Sequence, residues 1–430
     1  MTSLPFYLRE VKSLNRSTRA SKQSIICFSG FCFLFVCCVL QLQVTRTLLT
    51  VALNSATGIV FDNSKKREFT GERLKLSKTG SIQSLYPPIK TFAPSCKRWA
   101  VVTTIFDPSV AIARAASMPF WCTIIIPDLK TPTDFMEKFE NQMNNSTILE
   151  NVFFFSVEQQ KEWENSEGPL GEFARLTPWS HFARKNVGYL FAIAHGAEFI
   201  FDFDDDNLVK LAADGSPLKI LPDDDSMVLE NVDVVALGGN AFNHHPVMQA
   251  SVEESWARGF PIELIKDYHT HGKVLYNTSI PFSTEEHSNK EIGVIQFLAD
   301  DNPDVDAIHR ISRPLPLTFP LENAPSMLVP LHAYAPYNAQ ATIHSKNALF
   351  ATLLPFTVPG RVSDIWRGYF AQCIFHDTGL RLVFSPPKIK QERNEHNILG
   401  DLNAEQDLYA KSSELIKFLS SWDSDDDPDT

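Results

Sequence analysis

The feature that most constrains the fold is the segment at residues 198–207, which reads EFIFDFDDDN. Apolar residues typical of a buried strand run directly into three consecutive acids, Asp204, Asp205 and Asp206. Carboxylates crowded at one strand end repel each other unless a cation lies among them. Such oxygen ligands suit a hard divalent ion, Mn²⁺ or Mg²⁺, which keeps positions open for water and phosphate oxygens. The segment therefore predicts a metal-bridged diphosphate site of the kind that holds a nucleotide-sugar.

Three other acidic clusters, at residues 223–225, 300–301 and 425–427, provide a comparison within the chain. The first follows a Leu-Pro pair, the second precedes an Asn-Pro pair, and the third lies in a polar C-terminal tail. None follows a pattern typical of a buried strand, so we predict solvated turns and a solvated tail at these places. The cluster at residues 204–206 differs by its position at a strand end, which favours a functional role.

Strand and helix patterns alternate before and around this cluster. Strand patterns cover residues 99–105, 121–126, 152–155 and 199–203, and helical patterns cover residues 109–117 and 184–195. This alternation predicts an α/β fold with a Rossmann-like, doubly wound mixed sheet whose faces are covered. Ligands of such sheets bind beyond the carboxyl ends of the strands. Asp107 and Asp128 follow the first two strands and are predicted to contact the base or ribose, with a turn or helix N-cap as the alternative.

Within the predicted site, alternate positions point to one side. Asp204 and Asp206 are therefore the predicted metal ligands, and Asp205 is predicted to meet the ribose or donor sugar; an Asp205/Asp206 ligand pair is the alternative. Arg184 and Lys185 begin the preceding helix, whose positive end favours anions. They are predicted to bind the diphosphate or base, with a solvated basic pair as the alternative.

A second group of candidates lies in the segment GRVSDIWRGY, at residues 360–369. Asp364 is predicted to act as general base or to orient an acceptor hydroxyl, and the face of Trp366 suits the apolar face of a pyranose. A carboxylate at the start of a helix is also an ordinary cap. His376 is predicted to complete the divalent site from this distant segment.

The N-terminal region has the pattern of a membrane anchor. Residues 24–45 carry no charge and follow a basic segment, residues 1–23, which the positive-inside rule places in the cytosol. We predict a type II signal anchor, a stem at residues 46–95 and a lumenal domain at residues 96–400; a cleaved signal peptide is the alternative. The net charge of -12 argues against a nucleic-acid partner.

Features of the predicted lumenal part agree with that location. Three cysteines lie there, Cys96, Cys122 and Cys373, which allow one disulfide and one thiol with the pairing open. Sequons predict N-glycosylation at Asn144, Asn145 and Asn277. Apolar spacing predicts an amphipathic helix at residues 401–422, followed by an acidic tail at residues 423–430.

Several long motifs resemble the STELLO family of plants. They are WAVVTTIFDPS, ARKNVGYLFAIAHGAEFIFDFDDDN, the stretch from LHAYAPYNAQATIHS through FHDTGLRLVFSPP, and QERNEHN, and the resemblance covers roughly residues 96–422. It implies a type II Golgi membrane protein with a GT-A glycosyltransferase domain. It also implies a link to cellulose synthase complexes, whose subunits would be the partners in cell wall biogenesis.

A weaker resemblance extends to the reversibly glycosylated polypeptides, which are UDP-arabinopyranose mutases. The strand FIFDFDDD is similar to theirs, and so is the spacing of Gly360, Arg361, Asp364 and Trp366. This likeness implies that Arg361 and Trp366 contact a UDP-sugar. Their Asp-His-x-Gly order appears here from His376 onward with the first two residues exchanged.

These observations together predict a metal-dependent glycosyltransferase with a nucleotide-sugar donor. The alternative is a noncatalytic glycosyltransferase-like scaffold that binds cellulose synthase subunits. A nucleotidyltransferase is disfavoured because no Gly-rich or Lys-bearing phosphate loop follows the first strand, where IFDPS leads straight into a helix. Assembly into a homo-oligomer is left open.

Overall fold

A computed structural model describes residues 96–143, 146–167, 169–221, 228–281, 291–320, 324–393 and 397–422. The predicted cytosolic segment, signal anchor, stem and acidic tail lie outside these residues, as do Asn144, Asn145 and the acidic cluster at residues 223–225. In the described ranges, none of the helices has both the length and the apolar character that a membrane span requires.

Strands and helices follow one another along the described chain. In chain order the strands are β1 (Arg98–Thr104), β2 (Trp121–Pro127), β3 (Val152–Phe154), β4 (Phe199–Asp202), β5 (Asn207–Val209), β6 (Val228–Ala236), β7 (Lys273–Pro281), β8 (Glu291–Asp300), β9 (Ser326–Leu328), β10 (Thr342–Ser345) and β11 (Leu380–Gln391). The α-helices are α1 (Val110–Ala116), α2 (Phe135–Met143), α3 (Ser146–Leu149), α4 (Val157–Glu164), α5 (Pro169–Leu176), α6 (Asn186–Ala194), α7 (His244–Val247), α8 (Ala307–Ser312), α9 (Gly360–Thr378), α10 (Ile398–Ala404) and α11 (Gln406–Ser421).

The first four strands form a parallel sheet in the order β3-β2-β1-β4. Their side chains are mostly aromatic or β-branched and buried, as expected for strands covered on both faces. Helix α6 packs closely on this sheet at Gly188, where a Cβ atom would lie 2.7 Å from Val101 Cγ1 and 2.8 Å from Ile126 Cγ1. The predicted α/β fold with a Rossmann-like sheet is confirmed.

The other half of the sheet is mixed. In the part of the chain that the structure describes, all eleven strands join one sheet, and the path continues β4-β10-β8-β11-β9-β6-β7. Strand β10 runs antiparallel to β4 and β8, whereas β8 and β11 are parallel. The short strand β5 pairs with the end of β11. This pairing brings the segment after β11 next to the acids that follow β4.

The C-terminal region differs from its prediction. The single helix expected at residues 401–422 is two helices, α10 and α11, which meet at Glu405. Glu405 is fully buried, and its carboxylate accepts hydrogen bonds from Arg361 Nε at 2.9 Å and from the backbone N–H of Ala307 at 2.9 Å. These hydrogen bonds join residues that are far apart in sequence. The apolar spacing at residues 401–422 does not indicate them, so it predicted one continuous helix.

Two features bear on the predicted lumenal location. Cys96 and Cys122 form a disulfide, and Cys373 is a buried free thiol, which settles the pairing that the sequence left open. Asn277 lies in β7, at the end of the sheet, and its amide donates to Asn231 Oδ1 at 3.0 Å and to Asp233 Oδ1 at 2.9 Å. Its side chain is exposed.

Candidate functional site

A cavity of about 440 Å³ opens where β1, β2 and β4 end. Its wall includes residues from the ends of these strands, the first turns of α9 and the segment that follows β11. Parallel strands place their carboxyl ends at one sheet edge, so groups far apart in sequence meet there. Asp204, Asp205 and Asp206 all line this cavity, as does Asp128.

The three acids after β4 are held by different partners. Asp204 accepts hydrogen bonds from Lys185 Nζ and from Gln340 Nε2, both at 3.0 Å. Asp205 Oδ2 accepts from the Thr104 hydroxyl at 2.5 Å. Asp206 Oδ1 accepts from Asn207 Nδ2 at 3.2 Å. Asp204 is therefore bound to a cation of the protein, whereas Asp205 and Asp206 are held by neutral donors.

The electrostatics of the cluster fit a bound cation. Burial raises the pKa of Asp206 to about 7, and the charges of Asp204 and Asp205 add to this effect. Burial likewise raises the pKa of Asp205 to about 6. Lys185 lowers the pKa of Asp205 and Arg393 lowers that of Asp206, but neither cation offsets the effect of burial, and a hard divalent ion with oxygen ligands would supply further positive charge. Carboxylate oxygens are the ligand type that Mn²⁺ and Mg²⁺ prefer, but among the described residues no three His, Cys, Asp or Glu side chains are grouped so that they could hold a metal ion.

Beneath the acids lies an ion-pair cluster that the sequence did not predict. Asp202, the last residue of β4, binds Lys185 Nζ at 2.7 Å and Arg367 Nη1 at 2.9 Å. Burial alone would raise the pKa of Asp202, but the two cations outweigh it and lower that pKa. The cluster supports the backbone from which Asp204 extends.

Lys185 belongs to this support rather than to the cavity wall. Its Nζ contacts both Asp202 and Asp204 and donates to the carbonyl oxygens of Phe203 at 2.6 Å and Ala339 at 3.1 Å. Burial lowers the pKa of Lys185, but the two aspartates outweigh burial and raise it. With its donors already engaged, Lys185 does not reach a diphosphate, contrary to the sequence-based prediction.

Arg184 is also structural. It is fully buried, pairs with Glu164 at 2.9 Å and stacks on the Trp179 ring at 3.6 Å. Its other nitrogens donate to Gln160 and to backbone carbonyls, including that of Thr177 at 2.9 Å. The predicted diphosphate role is therefore not supported, because the turn before α6 directs this side chain into the core.

The two acids after β1 and β2 have different environments. Asp128 is buried at the cavity wall, and both its carboxylate oxygens accept from the backbone N–H of Ser180, at 3.0 and 2.9 Å. Asp107 is exposed and pairs with Lys138 at 2.7 Å, and it is not part of the cavity wall. The structure thus brings Asp128 to the site and leaves Asp107 outside it.

Asp364 and Arg361, in the first turns of α9, line the cavity as their predicted roles require. Both oxygens of Asp364 accept from Arg258, at 3.2 Å from Nη1 and 2.7 Å from Nη2. Arg258 also binds Asp304, with Nε at 2.8 Å from one oxygen. Arg361 pairs with Glu405. Asp364 is therefore part of a buried ion-pair network.

Two other candidates on α9 lie away from the cavity. Trp366 is buried and does not line the cavity, so it offers no face to a sugar there. His376 lies 12 residues after Asp364 on the same helix, about 18 Å along its axis at about 1.5 Å per residue. Its ring instead packs against His332 and Tyr334. His376 therefore lies far from the cavity that Asp364 lines, so the structure does not support it as a ligand of a metal held by the acids at residues 204–206.

Arg258 and Gln340 line the cavity but were not predicted from the sequence. Gln391 and Arg393, which also line it, lie in the donor-rich segment at residues 390–397, for which the sequence allows either a loop over phosphates or a surface loop. Gln340 and Gln391 lie in segments that resemble family motifs, but no local pattern marked either as close to the acids. Arg258 lies in a region without a recognisable strand or helix pattern. Only the pairing of β10 and β11 within the sheet brings the two glutamines and Arg393 to this edge.

The acidic pair at residues 300–301 also differs from expectation. Asp300 ends β8, and its Oδ2 binds Lys210 Nζ at 2.6 Å. Asp301 is exposed and binds Lys390 at 3.1 Å. This pair thus follows a strand, as the acids at residues 204–206 do, but each member has a lysine partner and neither lines the cavity.

Comparisons with known proteins give a consistent result. A family model described as STELLO glycosyltransferases matches residues 361–429. "Probable glycosyltransferase STELLO2" of Arabidopsis thaliana is 27% identical over an alignment of 348 residues that covers 76% of this chain and 39% of that protein. "Probable glycosyltransferase STELLO1" of the same plant is 26% identical over 350 residues, with the same coverage. The chain thus spans 39% of the length of these curated relatives, and the predicted resemblance is confirmed.

Proposed function

Because this chain is related to the STELLO glycosyltransferases, we propose that it is a metal-dependent glycosyltransferase with a GT-A domain and a UDP-sugar donor. One observation carries the proposal: three consecutive carboxylates line a cavity at the carboxyl ends of parallel strands. Nucleotides bind at this edge in open α/β sheets. Asp128, at the end of β2, is the proposed contact to the base or ribose.

We propose Asp205 and Asp206 as the principal metal ligands. This differs from the pair that alternation favoured, Asp204 and Asp206. Asp204 already binds the ammonium group of Lys185, whose positive charge opposes a second cation at the same oxygen. Asp205 and Asp206 have neutral partners and retain free lone pairs. When bound, the ion would neutralise charge on the leaving diphosphate.

On the acceptor side we propose that Asp364 orients a hydroxyl group. Arg258 holds both carboxylate oxygens, and the buried contacts of Arg258 with Asp304 fix its guanidinium in turn. A side chain fixed in this way holds a hydroxyl in a defined position, which is a large part of catalysis in group transfer. The geometry thus supports orientation of the acceptor by Asp364.

The cellular setting follows from the same relationship. We propose a single-pass type II protein of the Golgi membrane whose described domain is lumenal and whose partners include cellulose synthase subunits. The disulfide between Cys96 and Cys122 supports an oxidising compartment. The exposed side chain of Asn277 supports glycosylation of that residue.

The proposal predicts hydrolysis of a nucleotide-sugar in the absence of acceptor. The purified full chain, incubated with a panel of nucleotide-sugars, should release UDP from at least one UDP-sugar in the presence of Mn²⁺. Chelation with EDTA should remove this activity, because the buried carboxylates then lack their counter-ion. Release is measured by a coupled UDP assay. UDP release at equal rates with Mn²⁺ and with EDTA would contradict metal dependence, and no release from any donor would count against a transferase.

A noncatalytic scaffold is the second candidate function. The observation that favours it is the ion pair between Asp364 and Arg258, which engages both oxygens of the carboxylate that would otherwise take the proton of the acceptor. A chain in which Asp205 and Asp206 are both replaced by Asn separates the two functions. If that chain, at equal expression, still supports delivery of cellulose synthase complexes, the scaffold is favoured; loss of delivery favours chemistry.

A further inference from the structure

The N-terminal end of α9 forms part of the cavity wall. Gly360 and Arg361, its first two residues, line the cavity, and the helix continues for 19 residues. No side chain caps this end, and its first turn contains no acid. The first N–H groups of a helix have no partner within the helix, and the helix dipole places partial positive charge there. This end is therefore suited to an anion.

Arg393 supplies an independent observation on the same wall. Its side chain is only 5% exposed, and it lines the same cavity. Among the residues that the structure describes, its Nε and Nη1 have no hydrogen-bond partner. Its contact with Asp401, 3.6 Å from Nη2, is longer than a hydrogen bond. Buried charged groups are normally paired, so these nitrogens point to a ligand that the protein itself does not supply.

The other two arginines of the cavity wall are engaged. Arg258 binds Asp304 and Asp364, and Arg361 binds Glu405 at 2.9 Å. Among the described residues, Arg393 is thus the cavity arginine with buried nitrogens that have no hydrogen-bond partner. It also lies close to the proposed metal ligands, because the backbone N–H of the preceding residue, Glu392, donates to the backbone oxygen of Asp206 at 3.0 Å.

We propose that Arg393 and the N-terminal end of α9 form a phosphate-binding subsite for the diphosphate of the donor. The subsite rests on the proposed function. Its contacts with the phosphate oxygens come from the protein itself and not from a metal ion. Guanidinium groups and helix N-termini are both strong ligands of phosphate. The diphosphate would then lie between two sources of positive charge, the cation held by the acids and this subsite, and Arg393 would stabilise the leaving group as its negative charge increases.

The test uses inorganic diphosphate in EDTA, which removes the contribution of any divalent ion. Calorimetry on the full chain should show diphosphate binding, and Arg393→Gln should weaken it at least tenfold. Arg393→Lys, which keeps the charge, should recover part of the affinity. Lys390→Gln is the matched control, because Lys390 lies three residues earlier, is exposed, pairs with Asp301 and does not line the cavity. It should leave diphosphate affinity unchanged.

Thermal unfolding distinguishes a ligand-binding role from a structural one. Because two donors of Arg393 are unpaired, Arg393→Gln should not lower the melting temperature of the ligand-free chain, but it should reduce the increase that diphosphate produces. Equal diphosphate affinity in the wild type and Arg393→Gln would overturn the subsite, as would a lower melting temperature without ligand. If diphosphate binding depends on Arg393 while no nucleotide-sugar binds with Mn²⁺, the subsite is supported and the proposed function fails.

Discussion

Asp206→Asn is expected to weaken Mn²⁺-dependent binding of UDP by at least about 100-fold, since loss of even an outer partner of a metal ligand costs about 10- to 100-fold. The amide keeps the size of the side chain and its contact with Asn207, but it removes the negative charge that attracts the ion. Because burial and two neighbouring acids raise the pKa of Asp206, replacing its charge should not destabilise the ligand-free fold.

Calorimetric titration of UDP in the presence of Mn²⁺ measures this effect. The matched control is Asp301→Asn, because Asp301 also follows a strand in an acidic pair but is exposed and bound to Lys390. The control should bind UDP and Mn²⁺ as the wild type does. Unchanged Mn²⁺-dependent binding in Asp206→Asn would remove Asp206 from the proposed metal site, whatever the outcome for Asp205.

Lys185→Met is expected to lower the free energy of unfolding by about 3–5 kcal/mol, the usual effect of removing one partner from a buried ion pair. Methionine matches the length and apolar stem of lysine, so the loss would come from the charge. Asp202 and Asp204 would then remain buried with one cation fewer, while Arg367 still pairs with Asp202. The acids of the site would also lose the support that positions them.

Urea denaturation at neutral pH, followed by circular dichroism, measures this difference. Lys138→Met is a close control, because Lys138 also bridges two aspartates, Asp107 at 2.7 Å and Asp134 at 3.1 Å, but on the surface. Exposed ion pairs contribute little, so this control should unfold almost as the wild type does. A stability of Lys185→Met equal to that of Lys138→Met would show that Lys185 is not a structural residue.

Much of the parallel half of the fold could be predicted from the sequence. Strand patterns at residues 99–105, 121–126, 152–155 and 199–203 correspond to β1, β2, β3 and β4 within one or two residues at each end. Of these, β1, β2 and β4 are buried on both faces, so their sequences are mostly apolar and easily recognised. The mixed half of the sheet was harder to predict from the sequence. Its strands β6, β7 and β9 are short or partly exposed, and β6 pairs with strands that are distant in sequence.

Within the candidate site, the sequence predicted the acidic residues better than the basic ones. Asp128, Asp204, Asp205, Asp206 and Asp364 were all predicted, and all line the cavity. Acids that end a buried strand need a cation, and this requirement is visible locally. The basic side chains gave no such local signal, because whether an arginine binds ligand or protein depends on the partners that distant segments provide.

The sequence by itself thus determined that acids would gather at the carboxyl edge of a parallel sheet, because local apolar runs define the strands and sheet topology aligns their ends. Tertiary structure alone decided which charges face the ligand. It directed Lys185 inward to Asp202 and placed Arg393 in the cavity wall with free donors. The physical reason is that pairing and burial of a long cationic side chain depend on residues distant in sequence, which only the folded chain brings within hydrogen-bond distance.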